Sequence, residues 1–290
     1  VIPARDLTVA ADAAGTRLDA WLAQALGDVS RAAAAGLIES GAVIVNGARR
    51  PKSARLQGGE QVRVEVIGDD PGPDPRVEPE VVWEGDAFVV VDKPPGIVVH
   101  PAPGHRGVTL VEWLASRHPG WDPHAVHRLD RDTSGLMLVA KGDVAQRELQ
   151  AALRRREVLR EYLALVTGRV ASRTGTIDAP IGRDVRRRMR MSTRTDTPRA
   201  ARTHFEVERF AGTHTLVRAR LETGRTHQIR AHFAAIGHPL AGDRDYGGRD
   251  ELGLGRQFLH SARLALPPHE WRSELPPDLA AALERAESPR

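Results

Sequence analysis

The chain has 290 residues, with 42 lysines and arginines against 38 acids, a formal charge of +4 and no cysteine. That length buries a full core and leaves room for a small second module, while the lack of cysteine excludes disulfides, thiol nucleophiles and cysteine-ligated metals. No apolar run is long enough to span a bilayer and no charged-then-apolar leader is read, so the expectation is a soluble, unsecreted, cytoplasmic protein with no membrane partner.

Residues 15–67 read as one unit. Leu18, Trp21, Leu22, Ala25 and Leu26 fall at helical spacing within Arg17 to Leu26. Ser30 suits an N-cap for a second helix, Arg31 to Glu39, closed by Gly41. Ala42 to Val45 is a short strand, Asn46-Gly47 a hairpin-turn signal, and Gln61 to Ile67 a strand with alternating Val62, Val64 and Val66. Arg49, Arg50, Lys52 and Arg55 occupy the loop after the turn. Residues 68–79, GDDPGPDPRVEP, carry almost no apolar side chain and read as a linker.

A second unit covers residues 80–276. Val81 to Trp83 and Phe88 to Val91 are strands, followed by the turn Lys93-Pro94-Pro95-Gly96 and a strand at Ile97 to Val99. Leu110 to Arg117 and Gln146 to Arg155 are helices; Tyr162 to Thr167, Ala201 to Arg209 and Thr215 to Glu222 are strands. Thr226 caps a helix running to Ile236, which Gly237 and Pro239 end, and Ile229, Phe233 and Ile236 form its core stripe. The residues after Pro276 give one short helix and a frayed tail. Adjacent strands are joined mostly by turns, so this unit is expected to be α+β, with a mixed, largely antiparallel sheet rather than a doubly wound one.

The positive charge is concentrated. Between Gly182 and Arg202 eight arginines face two aspartates, which leaves the rest of the chain at about −2. Such a cluster points to a polyanion, with a solvated arginine-rich loop as the plainer alternative. Five Phe, five Trp and two Tyr are too few for a sheet that stacks bases on paired aromatics, so binding falls to arginine, backbone and shape.

Three clusters carry chemistry. HRLDRDTSGL, His127 to Leu136, sets His127, Arg128, Asp130, Arg131 and Asp132 at the mouth of an apolar run. In extended backbone Arg128, Asp130 and Asp132 share one side. Cationic neighbours favour the charged form of a carboxylate, and an ionised aspartate serves as a nucleophile or stabilises a developing cationic sugar. Taken alone, the loop reads equally as a structural ion pair.

LETGRTHQIRAHFAAIGHPLAGD, Leu221 to Asp243, places His227 and Arg230 one turn apart beside the core stripe. Arg225 precedes the helix N-terminus, where free N–H groups suit a phosphate or a carboxylate. His227, His232 and His238 raise the question of a metal, but the HExxH spacing is absent and none is expected. REYLALV, Arg160 to Val166, starts a strand with Tyr162, for which a half-buried structural role is the plainer reading. Lys93 in its turn is available to a phosphate. GxxxxGK(S/T), GxGxxG and GxSxG are missing, which removes support for an NTPase, a dinucleotide enzyme or a serine hydrolase.

In chain order, VVVDKPPGIVVHP, HRLDRDTSGLMLVAK, REYLALVTG, LETGRTHQIRAHF and GHPLAGDRDYGG resemble the RluA/RluD family of RNA pseudouridine synthases, over about residues 80–270. Ser30-Arg31, the helix through Leu37-Ile38, and Gly41 through Asn46-Gly47 resemble the alpha-L RNA-binding module found in the fourth small-subunit ribosomal protein. The resemblance implies a pseudouridine synthase fold behind a small alpha-L domain, and isomerisation of uridine to pseudouridine without a cofactor. Its RluD-like branch implies large-subunit (23S) ribosomal RNA, with transfer RNA less favoured; a monomer is the default. It also implies Asp130 as the catalytic residue, Tyr162 beside the target base and Arg230 as the ion-pair partner of Asp130. Arg128 is expected to fill the space a flipped base vacates. Lys93, Arg225, His227, Arg31, Asn46, Arg49, Arg50, Arg187 and Arg188 are expected to contact RNA. A non-catalytic RNA-binding protein leaves Asp130, Tyr162 and Arg230 unexplained as a set; an RNA or nucleoside glycosylase would release free uracil.

Overall fold

The computed structural model describes residues 5–27, 29, 31–40, 42–64, 78–100, 107–185 and 190–288. Two units divide the chain: Val1–Gly72 with Pro101–Gly107, and Pro73–His100 with Val108–Arg290. The smaller contains β1 (Arg5–Thr8), α1 (Leu18–Leu26), α2 (Arg31–Ser40), β2 (Val43–Val45) and β3 (Gln61–Val64). Strand β3 lies between β1 and β2, antiparallel to both. Leu18, Trp21, Leu22 and Leu26 of α1 pack against Leu37, Ile38, Val62 and Val64, as the helical and alternating periodicities require. Asn46 and Gly47 take φ of 49° and 78° in a tight turn. The partner of β2 nevertheless arrives only at Gln61, so the turn opens a long basic loop. Ser30, Gly41 and residues 65–77 lie outside the described residues.

The larger unit opens with β4 (Glu80–Glu84), β5 (Phe88–Lys93), α3 (Leu110–Arg117), β6 (Pro123–Ala125), β7 (Ser134–Lys141) and α4 (Asp143–Arg154). It continues through β8 (Leu159–Thr167), β9 (Thr174–Asp178), β10 (Gly182–Arg183), β11 (Met191–Ser192), β12 (Arg202–Ala211) and β13 (His214–Leu221). Helix α5 (Gln228–Ala235), β14 (Leu259–Leu266), β15 (His269–Arg272) and α6 (Pro277–Glu287) follow. The main sheet runs β4-β5-β7-β14-β8-β13-β12-β9, with β6 on β7 and β15 on β14. Only the β7–β14 pair is parallel among the described strands, so the sheet is mixed and largely antiparallel. Alternation along β7 sends Met137 and Val139 to one face, with Ile229 and Phe233 of α5. Leu136, Leu138 and Ala140 go to the other, with Ala145, Leu149 and Ala152 of α4. A strand covered on both faces is apolar throughout, which explains its unbroken hydrophobic run.

Several expected elements differ. Ile97 to Val99 is not a strand; Ile97 and Val99 are buried against the core from irregular backbone. Helix α5 starts at Gln228, because His227 sits in the left-handed region (φ 53°, ψ 24°) and cannot continue a helix, so Thr226 is not its cap. Ile236 lies beyond the last turn and is 42% exposed, outside the core stripe expected for it. The C-terminal helix α6 is no fringe: Leu279, Ala282 and Leu283 pack with Leu165 and Phe258. No helix among the described residues is long and apolar enough to cross a membrane.

Candidate active site

Three neighbouring strands, β7, β14 and β8, carry one wall of the site. The loop that feeds β7 anchors itself by burying Leu129, and Thr133 N donates to the Asp130 carbonyl (3.1 Å). That turn separates the two aspartates that extended backbone would have set side by side. Asp132 takes the guanidinium of Arg131 (3.0 Å), and Asp130 is left facing α5. At the entry to β7, Gly135 has φ 110°, and a Cβ there would fall 2.3 Å from the Ser261 carbonyl oxygen. Only glycine lets β7 meet β14 this closely.

Lys93 departs from its expected role. It is fully buried, and its ammonium donates to the carbonyls of Pro94 (2.8 Å), Ile97 (3.0 Å) and Arg131 (2.9 Å). All three of its protons are used inside the protein, so none is offered to a phosphate. Burial pushes the group down to about 7, against the opposing pull of Asp132. Its work is to pin the loop that follows Asp130.

Arg230, on α5, organises the carboxylates. Its Nε and Nη2 form a fork onto Asp243 (2.7 and 2.8 Å), Nη1 reaches Asp130 Oδ2 (3.3 Å), and Nη2 also meets Asp245 (3.1 Å). The Asp243 side chain is 1% exposed and that of Asp130 13%. Burial works against the guanidinium charge, but the hydrogen bonds and charge of Asp243, followed by Asp130, outweigh it and raise the group above its usual value. The fork fixes the plane of the guanidinium and leaves one edge for Asp130.

His227 stands on the other side of that carboxylate, its Nε2 3.9 Å from Oδ1. Its Nδ1 lies 3.0 Å from the Tyr246 hydroxyl, which also donates to Met191 O and accepts from Met191 N (both 3.0 Å). When the hydroxyl proton goes to Met191 O, the imidazole donates from Nδ1, which leaves Nε2 an acceptor toward the pocket. Burial lowers the imidazole pKa despite Asp130, so the ring is neutral at pH 7. The guanidiniums of Arg230 (4.9 Å) and Arg190 (4.6 Å) both lie over the Tyr246 ring; burial holds its phenol up at about 12.

Tyr162 floors the pocket. It points inward from β8, 4% exposed, and burial raises its phenol pKa. Asp130, Arg128, Leu129, Arg225, His227 and Arg230 join it around a cavity of about 40 Å³. Arg128 and Arg225 also line an adjoining groove of about 660 Å³. The exposed Arg225 is tethered through Nε to the Ala200 carbonyl (3.1 Å) rather than set on a helix N-terminus. A carboxylate between a fixed cation and a neutral imidazole, above an aromatic floor, suits a planar polar ring attached to a sugar that develops positive charge.

Six expected site residues therefore meet here: Asp130, Tyr162, Arg230, Arg128, Arg225 and His227. Arg31, Asn46, Arg49 and Arg50 belong to the smaller unit. There Arg31 approaches Asp19 (3.4 Å), Arg50 pairs with Glu60 (2.9 Å), Asn46 accepts from Gln61 N (2.9 Å), and Arg49 is exposed. Arg187 and Arg188 lie outside the described residues. His232 bonds Thr203 and the Ala179 carbonyl, and His238 the Thr167 carbonyl, so neither joins His227 at the pocket. Sequence reasoning gave no role to Asp243 or Tyr246, although both stand in GHPLAGDRDYGG. The signal available was that Tyr246 is the second of only two tyrosines.

Comparison with known proteins identifies the family and the fold. The family model described as RNA pseudouridylate synthase matches residues 87–235, and that of the S4 domain residues 16–62. An uncharacterized RNA pseudouridine synthase of Bacillus subtilis is 41% identical, covering 96% of this chain and 97% of the relative. A ribosomal large subunit pseudouridine synthase D of Nitrosomonas europaea is 42% identical, covering 96% and 87%. Among solved structures, human RNA pseudouridylate synthase domain containing 1 superposes with a TM-score of 0.61 at 29% identity, over 72% of this chain and 89% of that one. Fold, motif order and near full-length similarity agree, and the chain belongs to the RNA pseudouridylate synthase family, isomerases of RNA, with an S4 domain ahead of the synthase domain.

Proposed function

We propose that this protein converts uridine to pseudouridine in large-subunit ribosomal RNA, with Asp130 as the catalytic carboxylate. The observation that carries the reading is the Asp130–Arg230 pair (3.3 Å) at the rim of a pocket floored by Tyr162. Relatives named for the ribosomal large subunit supply the substrate class. An S4 domain and an arginine-lined groove suit a folded RNA read by backbone and shape. Work on ribosomal RNA fits a cytoplasmic protein, and we take it to act as a monomer.

In the reaction the N1–C1′ bond breaks, the base turns, C5 bonds to C1′, and the C5 proton is exchanged for one on N1. Nothing is oxidised or hydrolysed, so the chemistry calls for no cofactor. The base must leave its stack, at a cost of about a few kcal/mol that is smallest in a loop or bulge. The cavity of about 40 Å³ holds no more than a few waters, so its walls part as the base enters. Arg128, exposed at the rim, fills the gap left in the RNA. Asp130 then either attacks C1′ to form an ester or takes the 2′ proton to give a glycal; in both routes Arg230 holds the carboxylate aimed. His227 Nε2 accepts from the ribose 2′-hydroxyl or the uracil N3–H. Burial keeps the Tyr162 phenol protonated, so its first service is a stacking face. Arg225 contacts the strand in the groove, and Arg31, Asn46, Arg49 and Arg50 contact RNA from the smaller unit.

Asp130→Asn is the direct test. The variant should keep its RNA affinity and form no pseudouridine; residual modification would remove Asp130 from the role. Mapping pseudouridines in cellular RNA with and without the gene should show losses in large-subunit RNA, and losses confined to transfer RNA would overturn the substrate.

A further inference from the structure

Arg160 is a cation that the chemistry above does not use. It lies two residues before Tyr162 on β8, and strand alternation turns both side chains to the same buried face. The residue is 6% exposed, yet among the described residues no carboxylate pairs with its guanidinium, and its buried Nε has no hydrogen-bond partner. The guanidinium lies against Gly224, where an added Cβ would come within 2.7 Å of Nη1. Both residues line the groove of about 660 Å³, which meets the Tyr162 pocket at Arg128 and Arg225. Arg154 and Arg156 add to the positive lining. The one carboxylate there, Glu222, is already held by Arg156 (2.7 Å) and Arg202 (3.2 Å).

A desolvated cation without a counter-charge is unfavourable to the fold, and natural chains rarely keep one unless something outside completes it. We propose that Arg160 is a phosphate-binding residue in the groove floor, taking the RNA backbone phosphate next to the uridine whose base enters the Tyr162 pocket. This rests on the reading of the pocket as a uridine site. A guanidinium presents a planar fork of donors matched to two phosphate oxygens. The glycine beside it leaves its approach open, and continuity of groove and pocket sets which phosphate arrives. Anchoring that phosphate fixes the ribose relative to Asp130, so Arg160 positions the substrate without touching the reacting atoms.

The test measures binding of a fluorescent oligouridylate to the full chain at several salt concentrations, for the unaltered protein, Arg160→Met and Gly224→Ala. Removing one single-strand phosphate contact should reduce the slope of log K against log salt by about 0.7. Arg160→Met should show that reduction with weaker binding and an unchanged or raised Tm. A lowered Tm with an unchanged slope would assign Arg160 to the fold and overturn the proposal. Gly224→Ala, which displaces the guanidinium and leaves the charge in place, should weaken binding, and the double variant should bind no worse than Arg160→Met alone. Fully additive losses would overturn the coupling. Failure of the unaltered chain to bind RNA, or to form pseudouridine, would overturn the underlying reading as well; normal binding and activity with an unaltered slope in Arg160→Met would overturn this inference alone.

Discussion

Arg230 and Arg160 are both 6% exposed, and the fold treats them in opposite ways. Arg230 has three carboxylates from its own chain, one in a two-point fork; among the described residues Arg160 has none. The desolvation cost of the two guanidiniums is similar, so the difference lies in where the compensating charge comes from. Around Arg230 it is built in, which fixes Asp130 before any substrate arrives. Around Arg160 it is left for RNA to supply. The cation that orients Asp130 thus comes from α5, and the cation left without an internal partner among the described residues comes from β8.

The strongest way to break this contrast is to remove each cation in turn. Arg230→Met strands Asp243 in the interior and frees Asp130, and should cost about 3–5 kcal/mol of stability together with all activity. Arg160→Met removes an uncompensated charge and should leave unfolding in denaturant unchanged or shifted to higher concentration. Equal destabilisation by both would show that Arg160 has an internal partner after all.

A smaller effect separates the carboxylates. Asp243→Asn keeps the shape but weakens the fork on a buried cation, costing about 1–3 kcal/mol and lowering kcat because Arg230 can rotate away from Asp130. Asp245, whose side chain is 67% exposed, pairs with the same guanidinium from the solvent side. Asp245→Asn should change stability by less than about 0.5 kcal/mol. A reversed order would mean that Arg230 is held from outside the pocket.

The meeting of Asp130, Tyr162 and Arg230 at one pocket was legible because it is written in short motifs, HRLD, REY and HQIR, whose residue types are poor choices for a core. The sheet was legible in class, since alternation and turns identify antiparallel neighbours, but not in order. Strand β14, which separates β7 from β8 and so sets the distance between Asp130 and Tyr162, received no reading. Its sequence, LHSARLAL, mixes His260, Ser261 and Arg263 with apolar residues and shows no clean period; β8 pairs along one of its edges, while parallel β7 and antiparallel β15 share the other. Lys93 was misread for a related reason: a lysine in a Pro-Gly turn is ordinarily solvated, and three converging carbonyls are a tertiary fact. Asp243 and Tyr246 follow a loop and reach Arg230 only through its fold, so spacing could not assign them.

Lys93 gives the next prediction, on pH. Its pKa falls from 10.5 to about 7 in the folded chain. For a base whose folded value is depressed, the penalty of burying its charge is fully present below about 7. It fades as pH rises toward the unfolded value, because the folded form sheds its proton first. Relative to Lys93→Met, the unaltered protein should therefore gain stability between about pH 7 and 10.5. A flat difference between the two across that window would show that the ammonium stays charged on its three carbonyls.

Tyr246 tests how the neutral side of the site is set. Tyr246→Phe keeps the ring under Arg190 and Arg230 but removes the hydroxyl that joins His227 to Met191. Loss of these bonds should cost about 1 kcal/mol. The larger consequence is chemical: without the hydroxyl, nothing there selects the Nδ1–H tautomer, and a proton on Nε2 can be donated to Asp130. Nitrogen chemical shifts should then move from the Nδ1–H form toward the Nε2–H form, with a fall in kcat and little change in RNA affinity. If the variant keeps the Nδ1–H form, the tautomer is set elsewhere, and the free Nε2 acceptor does not depend on Tyr246.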